Sequence, residues 1–405
     1  MTVAVPSAPT DRYTIISADC HGGGSANQYR EYLDPKYRDE FDAWRGGYKN
    51  PYRDLQGDSR TRNWDDTRRW NDLHADGQVA EVLFPNTVPP FFPTGIVIAR
   101  PPTRDEYELR WAGIRAHNRW LADFCALAPD RRAGIAQIFL NDVDEAVREV
   151  HWAKAAGLRG GVLVPNIPPD HPDLLPIYDP SYDPIWRACE ELGMPVNSHA
   201  GTGLPDYGTY PWTQALWVIE TPFFAHRPLW FMIMSGVFER FPRLKFVMTE
   251  SGAGWVAPQV RQLDGLHLAM KMGRTGEVGF DPATALPLKP SEYFERNCWI
   301  GVSFPSPNEG RARDKIGLHK YMWGSDYPHH EGSTPFSKES LRRAFSGADP
   351  ADLHRIFALT AAEVYGFDLD RLAPYAAEHG PTVAEIAEPY EGVPDGATSP
   401  CFYQP

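Results

Sequence analysis

The stretch Ile15-Ile16-Ser17-Ala18-Asp19-Cys20-His21-Gly22-Gly23-Gly24 begins with apolar residues and ends in polar residues and glycines. Its apolar part belongs to a predicted strand, Tyr13–Ala18, and the Asp-x-His pair follows at the carboxyl end. Residues two apart on a strand share a face, so Asp19 and His21 are predicted to project together. A carboxylate beside an imidazole suits a divalent cation such as zinc. Taken alone, such a pair is more often a local hydrogen-bonded contact.

Short apolar runs of this kind recur along the chain and alternate with longer amphipathic segments, which is typical of an α/β protein. The predicted strands are Tyr13–Ala18, Val79–Phe84, Ile135–Ile138, Gly161–Val164, Pro195–Asn197, Lys245–Met248, Trp299–Val302 and Tyr321–Trp323. The predicted helices are Glu106–Leu127, Asp142–Ala156, Pro184–Leu192, Leu229–Arg240 and Ser337–Phe345. Strands interleaved with helices indicate parallel βα units, and eight strands close a (β/α)8 TIM barrel.

Two segments interrupt the alternation. Residues 22–78 form a long insertion after strand 1 that is rich in Trp, Tyr and Arg. A βα loop lies at the catalytic face of such a barrel, so we predict a cap over the site. We therefore expect one barrel domain, residues 1–367 including this cap, and a C-terminal tail, residues 368–405. The tail is either an arm packed on a partner subunit or a poorly ordered terminus.

The composition is that of an ordinary globular enzyme, with 42% hydrophobic and 23% charged residues. Acidic residues outnumber basic residues 53 to 40, which gives a formal net charge of −13. A chain this acidic is a poor candidate for binding nucleic acid or an anionic membrane. An anionic substrate would need a local group of arginines rather than the overall field of the protein.

The cysteines and the N-terminus favour a cytoplasmic location. Five widely spaced cysteines without a Cys-x-x-Cys pair indicate reduced thiols, not a disulfide framework or a cysteine zinc site. Residues 1–11 lack the apolar core of a signal peptide. The sequence contains no stretch of about 18 uncharged apolar residues, so a membrane span is not expected.

Two further strand ends carry polar residues. Met194-Pro195-Val196-Asn197-Ser198-His199-Ala200-Gly201 delivers His199 to a glycine-rich turn. Tyr321-Met322-Trp323-Gly324-Ser325-Asp326-Tyr327-Pro328 delivers Asp326 to a turn that contains a proline. Separately, His199 could be a satisfied core histidine, although the glycine-rich turn after it favours an open site, and most strings like the one around Asp326 are turn caps. Together with Asp19 and His21, they occupy the carboxyl ends of strands 1, 5 and 8, where barrel enzymes keep their catalytic residues.

These motifs, with Gly236-Val237-Phe238-Glu239-Arg240-Phe241-Pro242, resemble the amidohydrolase superfamily. The resemblance is to its amidohydrolase-2 group, which includes aminocarboxymuconate-semialdehyde decarboxylase and γ-resorcylate decarboxylase. It implies one divalent metal ion bound by Asp19, His21, His199 and Asp326. Zinc is expected, with manganese or iron as alternatives. The resemblance also implies a homodimer.

One position departs from the pattern of that group. Relatives usually carry a histidine at the end of strand 6, often with a glutamate three residues later. Here Glu250 replaces the histidine, and Ala253 occupies the second position. Glu250 is predicted to act either as general base or as a metal ligand, and its pKa depends on opposing effects of burial and charge.

Other candidates surround these motifs. His226 is a further catalytic candidate, and Arg227 is a candidate for binding a substrate carboxylate, although surface charge explains both equally well. Phe84 and Asn86 follow strand 2 and are predicted to form an aromatic wall with one polar contact. His329 is predicted to bind the substrate or to support Asp326.

Two catalytic functions remain open, both acting on a small carboxylate. The first is a lyase that decarboxylates a small aromatic or unsaturated carboxylic acid, with the metal orienting the substrate and an acid protonating the carbon. The alternative is a hydrolase, in which Asp326 or Glu250 helps a metal-activated water to attack an amide, ester, lactone or carbon–carbon bond. A catalytically inactive scaffold is a third reading, which the four ligand positions disfavour.

Overall fold

A computed structural model describes residues 11–51, 55–86, 88–96 and 98–404. The first ten residues of the predicted barrel domain and residues 52–54 of the predicted cap lie outside these ranges. Every predicted site residue lies within them. In the described part of the chain, no helix combines the length and apolar character needed to cross a bilayer.

The core of the molecule is an eight-stranded parallel sheet whose strands follow one another in chain order. The strands are β1 (Ile16–Gly22), β2 (Ala80–Pro85), β3 (Arg132–Gln137), β4 (Gly161–Leu163), β5 (Val196–His199), β6 (Phe246–Thr249), β7 (Cys298–Ser303) and β8 (Tyr321–Gly324). Alternate residues such as Ala80, Val82 and Phe84 fill the interior, and the residues between them pack against the helices. The predicted (β/α)8 barrel is confirmed.

The sheet closes between β1 and the residues that follow β8. The amide of Asp326 donates to the carbonyl of Asp19 at 2.8 Å, and the amide of His21 donates to the carbonyl of Tyr327 at 2.6 Å. These backbone bonds join the first and last motifs of the barrel at its carboxyl end. We call this junction the β1–β8 seam.

Sixteen α-helices surround the sheet in the described residues. They are α1 (Ala26–Tyr32), α2 (Arg38–Gly47), α3 (Asp66–Ala75), α4 (Tyr107–Ala126), α5 (Val143–Ala155), α6 (Asp183–Leu192), α7 (Thr213–Met234), α8 (Val237–Arg240), α9 (Val256–Lys271), α10 (Pro290–Asn297), α11 (Pro307–Ile316), α12 (Ser337–Phe345), α13 (Pro350–His354), α14 (Thr360–Tyr365), α15 (Leu369–His379) and α16 (Val383–Ala387). Four of the five predicted helices agree with these bounds to within one residue.

Two predicted elements differ from the structure by more than three residues at one end. Strand β1 extends past the predicted end at Ala18, because residues 20–22 pair in parallel register with residues 83–85 of β2. The predicted helix Leu229–Arg240 is in fact the end of α7 and the separate helix α8. The two are interrupted at Gly236, whose φ of +76° suits a helix terminus. Helix α7 begins much earlier than predicted and contains two prolines, which normally oppose a helix.

Arg69 anchors the cap helix α3 to the barrel. Its Nη2 lies 2.7 Å from Oε2 of the buried Glu81 on β2, and its Nη1 donates to the carbonyl of His21 at 2.7 Å. Arg132 on β3 binds the same carboxylate, with Nε 3.0 Å from Oε1 of Glu81. Buried charges are costly unless they are paired, so this network fixes α3 against the strand that carries His21.

The C-terminal tail packs on its own barrel. The amide of Tyr13 donates to the carbonyl of Pro381 at 2.9 Å, and the amide of Val383 donates to the carbonyl of Asp11 at 2.8 Å. Leu372 of α15 is fully buried in the hydrophobic cluster that includes Ile16 of β1. The tail therefore forms an intramolecular layer beneath the strands, and its role as an arm between subunits stays a prediction.

Candidate metal centre

The four predicted ligands meet at the carboxyl end of the barrel. Nε2 of His21 lies 3.3 Å from Oδ1 of Asp19 and 3.1 Å from Oδ1 of Asp326. Nε2 of His199, at the end of β5, lies 3.5 Å from the same Asp19 oxygen. Side chains that are far apart in sequence thus form one group of nitrogen and oxygen atoms, which is the donor type that divalent transition metals prefer.

Both imidazoles are oriented by backbone carbonyls. Nδ1 of His21 lies 3.1 Å from the carbonyl of Pro85, and Nδ1 of His199 lies 3.1 Å from the carbonyl of Ala200. A carbonyl only accepts, so each Nδ1 carries a proton, and Nε2 is the atom that each imidazole turns towards the cluster. This is the arrangement that a metal-binding histidine requires.

The cluster contains buried polar atoms without hydrogen-bond partners among the described residues. They are Oδ1 of Asp19, Nε2 of His21, Nε2 of His199 and Oδ2 of Asp326. Buried polar atoms are nearly always satisfied, since an unsatisfied one costs free energy. One cation would satisfy atoms from all four residues at once. The residues present therefore fit a divalent metal ion.

Asp19 is held in the charged form that a metal ligand needs. Burial opposes the charge, but the neighbouring imidazoles of His199 and His21 outweigh burial and hold the pKa of Asp19 well below its usual range. Ser303, the last residue of β7, also donates its hydroxyl to Oδ2 of Asp19. The carboxylate is thus fixed in direction as well as charge.

Glu250 follows β6 directly and lies beside the cluster. Its Oε2 is 3.4 Å from Nδ1 of His199, and one of its oxygens lies within 4.8 Å of an oxygen of Asp326. Burial raises the pKa of Glu250 to about 8, with His199 lowering it and the neighbouring carboxylates raising it. The position expected to hold a histidine is therefore occupied by a carboxyl group that reaches the same site.

The backbone is strained where these residues leave their strands. Glu250, Phe304 and Asp326 have φ values of +54°, +35° and +62°. Non-glycine residues rarely adopt this left-handed region, and each instance costs on the order of 1 kcal/mol. These three residues follow the ends of β6, β7 and β8, at the face of the barrel that carries the cluster; among the described residues, Phe91 is the fourth non-glycine residue in this region. Such strain is typical of functional sites.

A chain of hydrogen bonds connects the cap to Asp326. Nδ1 of His329 lies 2.7 Å from Oδ1 of Asp326, and Nε2 of His329 lies 3.1 Å from Oδ1 of Asn86. Asn86 donates to Oδ1 of Asn63 at 2.6 Å, and Asn63 donates to the carbonyl of Arg60 at 3.0 Å. The carbonyl of Arg60 can only accept, so Asn63 must donate to it and use its Oδ1 to accept from Asn86. Asn86 in turn uses its Oδ1 to accept from His329. The cap thereby holds His329 against Asp326.

A cavity of about 180 Å³ lies beside the cluster and is lined by His21 and His199. We call it the ring cavity, because a dry cavity of about 150 Å³ is known to accommodate benzene. Its walls are mostly apolar, and the predicted residues Phe84 and Asn86 both line it. The ring of Phe84 lies 4.7 Å from that of His199, so the aromatic wall adjoins the imidazoles.

Comparison with known proteins identifies the family of this chain. The sequence profile of the amidohydrolase family matches residues 58–367. The chain belongs to the amidohydrolase family. The matched region contains His199, Glu250 and Asp326, whereas Asp19 and His21 lie before it and join the site through the β1–β8 seam.

This amidohydrolase is 31% identical over 225 residues to a γ-resorcylate decarboxylase of Rhizobium radiobacter, a match that covers 53% of this chain and 65% of that relative. The match thus covers slightly less than two thirds of the relative's length. A solved 5-carboxyvanillate decarboxylase from Sphingomonas paucimobilis superimposes with a TM-score of 0.61 at 22% identity, over 88% of this chain and 100% of that one.

A second solved neighbour contains a metal. It is a 5-carboxyvanillate decarboxylase from Novosphingobium aromaticivorans, complexed with manganese and 4-hydroxy-3-methoxy-5-nitrobenzoic acid. It superimposes with a TM-score of 0.63 at 20% identity, over 87% of this chain and 96% of that one. At such identities the likeness to either structure establishes the fold alone. Family membership and the donor cluster support a divalent metal ion in this amidohydrolase.

Two predicted residues of the amidohydrolase, His226 and Arg227, lie outside both the donor cluster and the ring cavity. His226 lies 2.7 Å, through Nε2, from the carbonyl of Ser251, and its ring stacks on Trp255 at 3.7 Å. Burial lowers the pKa of His226 to about 4, so it is neutral at pH 7. Arg227 lines a second cavity, where its guanidinium lies 5.2 Å from the ring of Phe224. The structure does not bring either side chain to the wall formed by the imidazoles.

Three residues at the site were not predicted from the sequence. Ser303 and Gln137 are polar residues at the carboxyl ends of β7 and β3, the same signal that identified His199. That signal could have found both. Arg110 lines the ring cavity from helix α4, where nothing in the local sequence distinguishes it from a surface arginine.

Replacing His199 with alanine removes one of the two imidazole donors. We expect the wild-type protein to bind about one metal ion per chain, and His199→Ala to weaken metal affinity at least about 100-fold. Elemental analysis after dialysis against graded chelator measures this. His226→Ala is the matched control, because it removes a buried histidine outside the cluster and should retain the ion. Equal affinity in His199→Ala and wild type would contradict the assignment.

Replacing Asn86 with leucine cuts the hydrogen-bond chain between the cap and His329. Loss of such outer support typically weakens metal binding about 10-fold to 100-fold, and we expect Asn86→Leu to fall in this range. The same chelator titration provides the measurement. Asn141→Leu is a suitable control, since Asn141 donates to the carbonyl of Pro102 and takes no part in the chain. If the affinity of Asn86→Leu is unchanged, the amide chain does not support Asp326.

Proposed function

We propose that this amidohydrolase is a metal-dependent decarboxylase, a lyase that acts on a small aromatic or unsaturated carboxylic acid. The observation that carries the proposal is the position of the ring cavity, which is lined by His21 and His199 of the cation site. An aromatic acid bound there would have its ring against apolar walls and its polar group beside the cluster. The decarboxylases among the relatives and structural neighbours support the same reaction.

Asp19, His21, His199 and Asp326 would hold the metal ion. When bound, the ion would supply a Lewis acid for the substrate carboxylate and a neighbouring hydroxyl or oxo group. We propose zinc, because imidazole nitrogens and carboxylate oxygens are its usual donors. Manganese and iron accept the same donors, and elemental analysis of the purified protein distinguishes the three.

Glu250 would supply the proton. Its carboxyl group reaches the cluster from the end of β6, with Oε2 3.4 Å from His199. We assign it the transfer of a proton to the ring carbon that carries the carboxylate. The carbon–carbon bond then breaks, its electron pair stays with the ring, and carbon dioxide leaves. The charge balances, since one carboxylate and one proton become carbon dioxide and a carbon–hydrogen bond.

Neighbouring residues would orient this chemistry. Phe84 would pack against the substrate ring, and Asn86 would contact its polar substituent while holding His329 in place. His329 would in turn hold Asp326. His226 would act as a positioning residue through its bond to the carbonyl next to Glu250. Arg227 lies in the second cavity and has no part in this scheme.

Release of carbon dioxide tests the reaction. Metal-loaded protein incubated with 2,6-dihydroxybenzoate and related hydroxybenzoates should release carbon dioxide. Glu250→Gln should lower kcat at least about 100-fold, because it removes the proton donor, while metal content stays unchanged. Glu309→Gln is the matched control: its partly buried carboxylate accepts from the amide of Ala253 outside the cluster, and glutamine preserves that acceptor.

Two outcomes would overturn parts of this proposal. If Glu250→Gln retains kcat within a few-fold of wild type, another group supplies the proton. If no aromatic acid releases carbon dioxide and the protein hydrolyses amides or lactones, the enzyme is the hydrolase that the same ligands would also serve.

We also propose a cytoplasmic homodimer. The five cysteines all lie in the described ranges and are free and buried, which suits a reducing compartment. The first half of α7 exposes Val218, Ile219 and Phe223, and a group of exposed apolar side chains is typical of an interface. Light scattering should give twice the chain mass of 45.6 kDa. A monomer mass at micromolar concentration would contradict the dimer, and cell fractionation tests the compartment.

A further inference from the structure

The ring cavity contains a guanidinium group with little counter-charge. Arg110, in the first turn of α4, is 7% exposed and lines the cavity. Its Nη2 donates to the carbonyl of Arg100 at 2.9 Å, and its Nη1 lies 3.5 Å from Oε2 of Glu106. The Glu106 side chain is 47% exposed, so this pair is screened by solvent and only partly offsets the burial of the cation. Arg110 has five N–H donors and therefore retains free ones.

Two aromatic rings hold this guanidinium in the wall of the cavity. Its carbon lies 5.8 Å from the ring centre of Phe92 and 5.5 Å from that of Phe139. Both rings also line the cavity. Rings at this distance stabilise a cation and exclude water from it. A hydrogen bond that Arg110 makes inside the cavity is therefore stronger than one made at the surface.

Gln137 adds an unsatisfied donor to the same cavity. Its backbone is fixed by Asn118, which accepts from the Gln137 amide at 2.9 Å and donates to the Gln137 carbonyl at 2.9 Å. Its side-chain Nε2 is buried and has no hydrogen-bond partner among the residues that the structure describes. A buried amide donor without a partner costs free energy, so a ligand that accepts from it would bind favourably.

We propose that Arg110 and Gln137 bind a second carboxylate of the substrate. The inference rests on the proposed function for the first carboxylate, which binds at the cation site. An arginine fork binds a carboxylate through two parallel hydrogen bonds, and the glutamine amide adds a third. Strand β3, which carries Gln137, is two strands away from β1 and from β5, so the two recognition sites occupy different walls of one cavity. The substrate class is then an aromatic dicarboxylic acid with a ring hydroxyl.

A pair of acids that differ by one carboxylate tests this assignment. The probes are 4-hydroxyisophthalate and 2-hydroxybenzoate, which share a hydroxyl beside one carboxylate. Isothermal titration calorimetry on manganese-loaded wild-type protein should show the dicarboxylate binding at least about tenfold more tightly, since hydrogen bonds to a charged group contribute at least this much.

Variants then test whether Arg110 and Gln137 cause the tighter binding of the dicarboxylate. Arg110→Met and Gln137→Met should each reduce the preference to within about threefold, without changing metal content. Arg115→Met is the matched control, because it makes the same change on the exposed side of α4 and should keep the full preference. Gln137→Met removes no hydrogen bond of its side-chain nitrogen, so it should fold normally even if Arg110→Met does not. Arg110→Lys keeps the charge without the fork and should retain only part of the preference.

Binding of the second carboxylate and decarboxylation are tested by separate outcomes. Equal binding of the two acids by wild type, no measurable binding of the dicarboxylate, or a preference that survives both methionine substitutions would overturn the assignment. Carbon dioxide release is measured in the same samples. A preference that depends on Arg110 and Gln137 without any release would leave this inference standing and count against the decarboxylase.

Discussion

The β1–β8 seam is the constraint on which the site depends. Two backbone hydrogen bonds, Asp326 to Asp19 and His21 to Tyr327, close the barrel and at the same time place the first and last motifs side by side. The closure that buries the barrel core also positions three of the four candidate ligands. His199 completes the set from β5, across the interior of the barrel. The same backbone hydrogen bonds therefore close the barrel and assemble the site.

Burying the ligand carboxylates and imidazoles together costs free energy, and this explains the contacts around them. Carboxylates and imidazoles packed together in a buried space need fixed partners, since polar atoms without them destabilise the folded state. Backbone carbonyls orient the imidazoles, Ser303 holds Asp19, and His329 holds Asp326. The cap contributes at two points, because Arg69 binds the carbonyl of His21 and Asn63 directs the amide chain to His329. The cap is thus part of the support for the cluster as well as a cover over the barrel.

How much the sequence could predict follows from where each residue lies. Polar residues at the ends of apolar strands are a local signal, and this signal led to His21, His199 and Asp326. Arg110 has no such signal, because it reaches the cavity from a helix and only the folded chain brings it there. His226 is a candidate because its segment could lie over the mouth of the barrel, yet in the structure its ring stacks on Trp255. The bounds of α7 were wrong because internal prolines conceal a helix that tertiary packing stabilises.

The most direct test of the account is to locate the ion by anomalous diffraction from crystals of the manganese-loaded protein. The account predicts one strong peak at the carboxyl end of the barrel, about 2.0–2.4 Å from Nε2 of His21, Nε2 of His199 and an oxygen of both Asp19 and Asp326. A peak beyond bonding distance of His199 or Asp326, or one held by other residues, would contradict it.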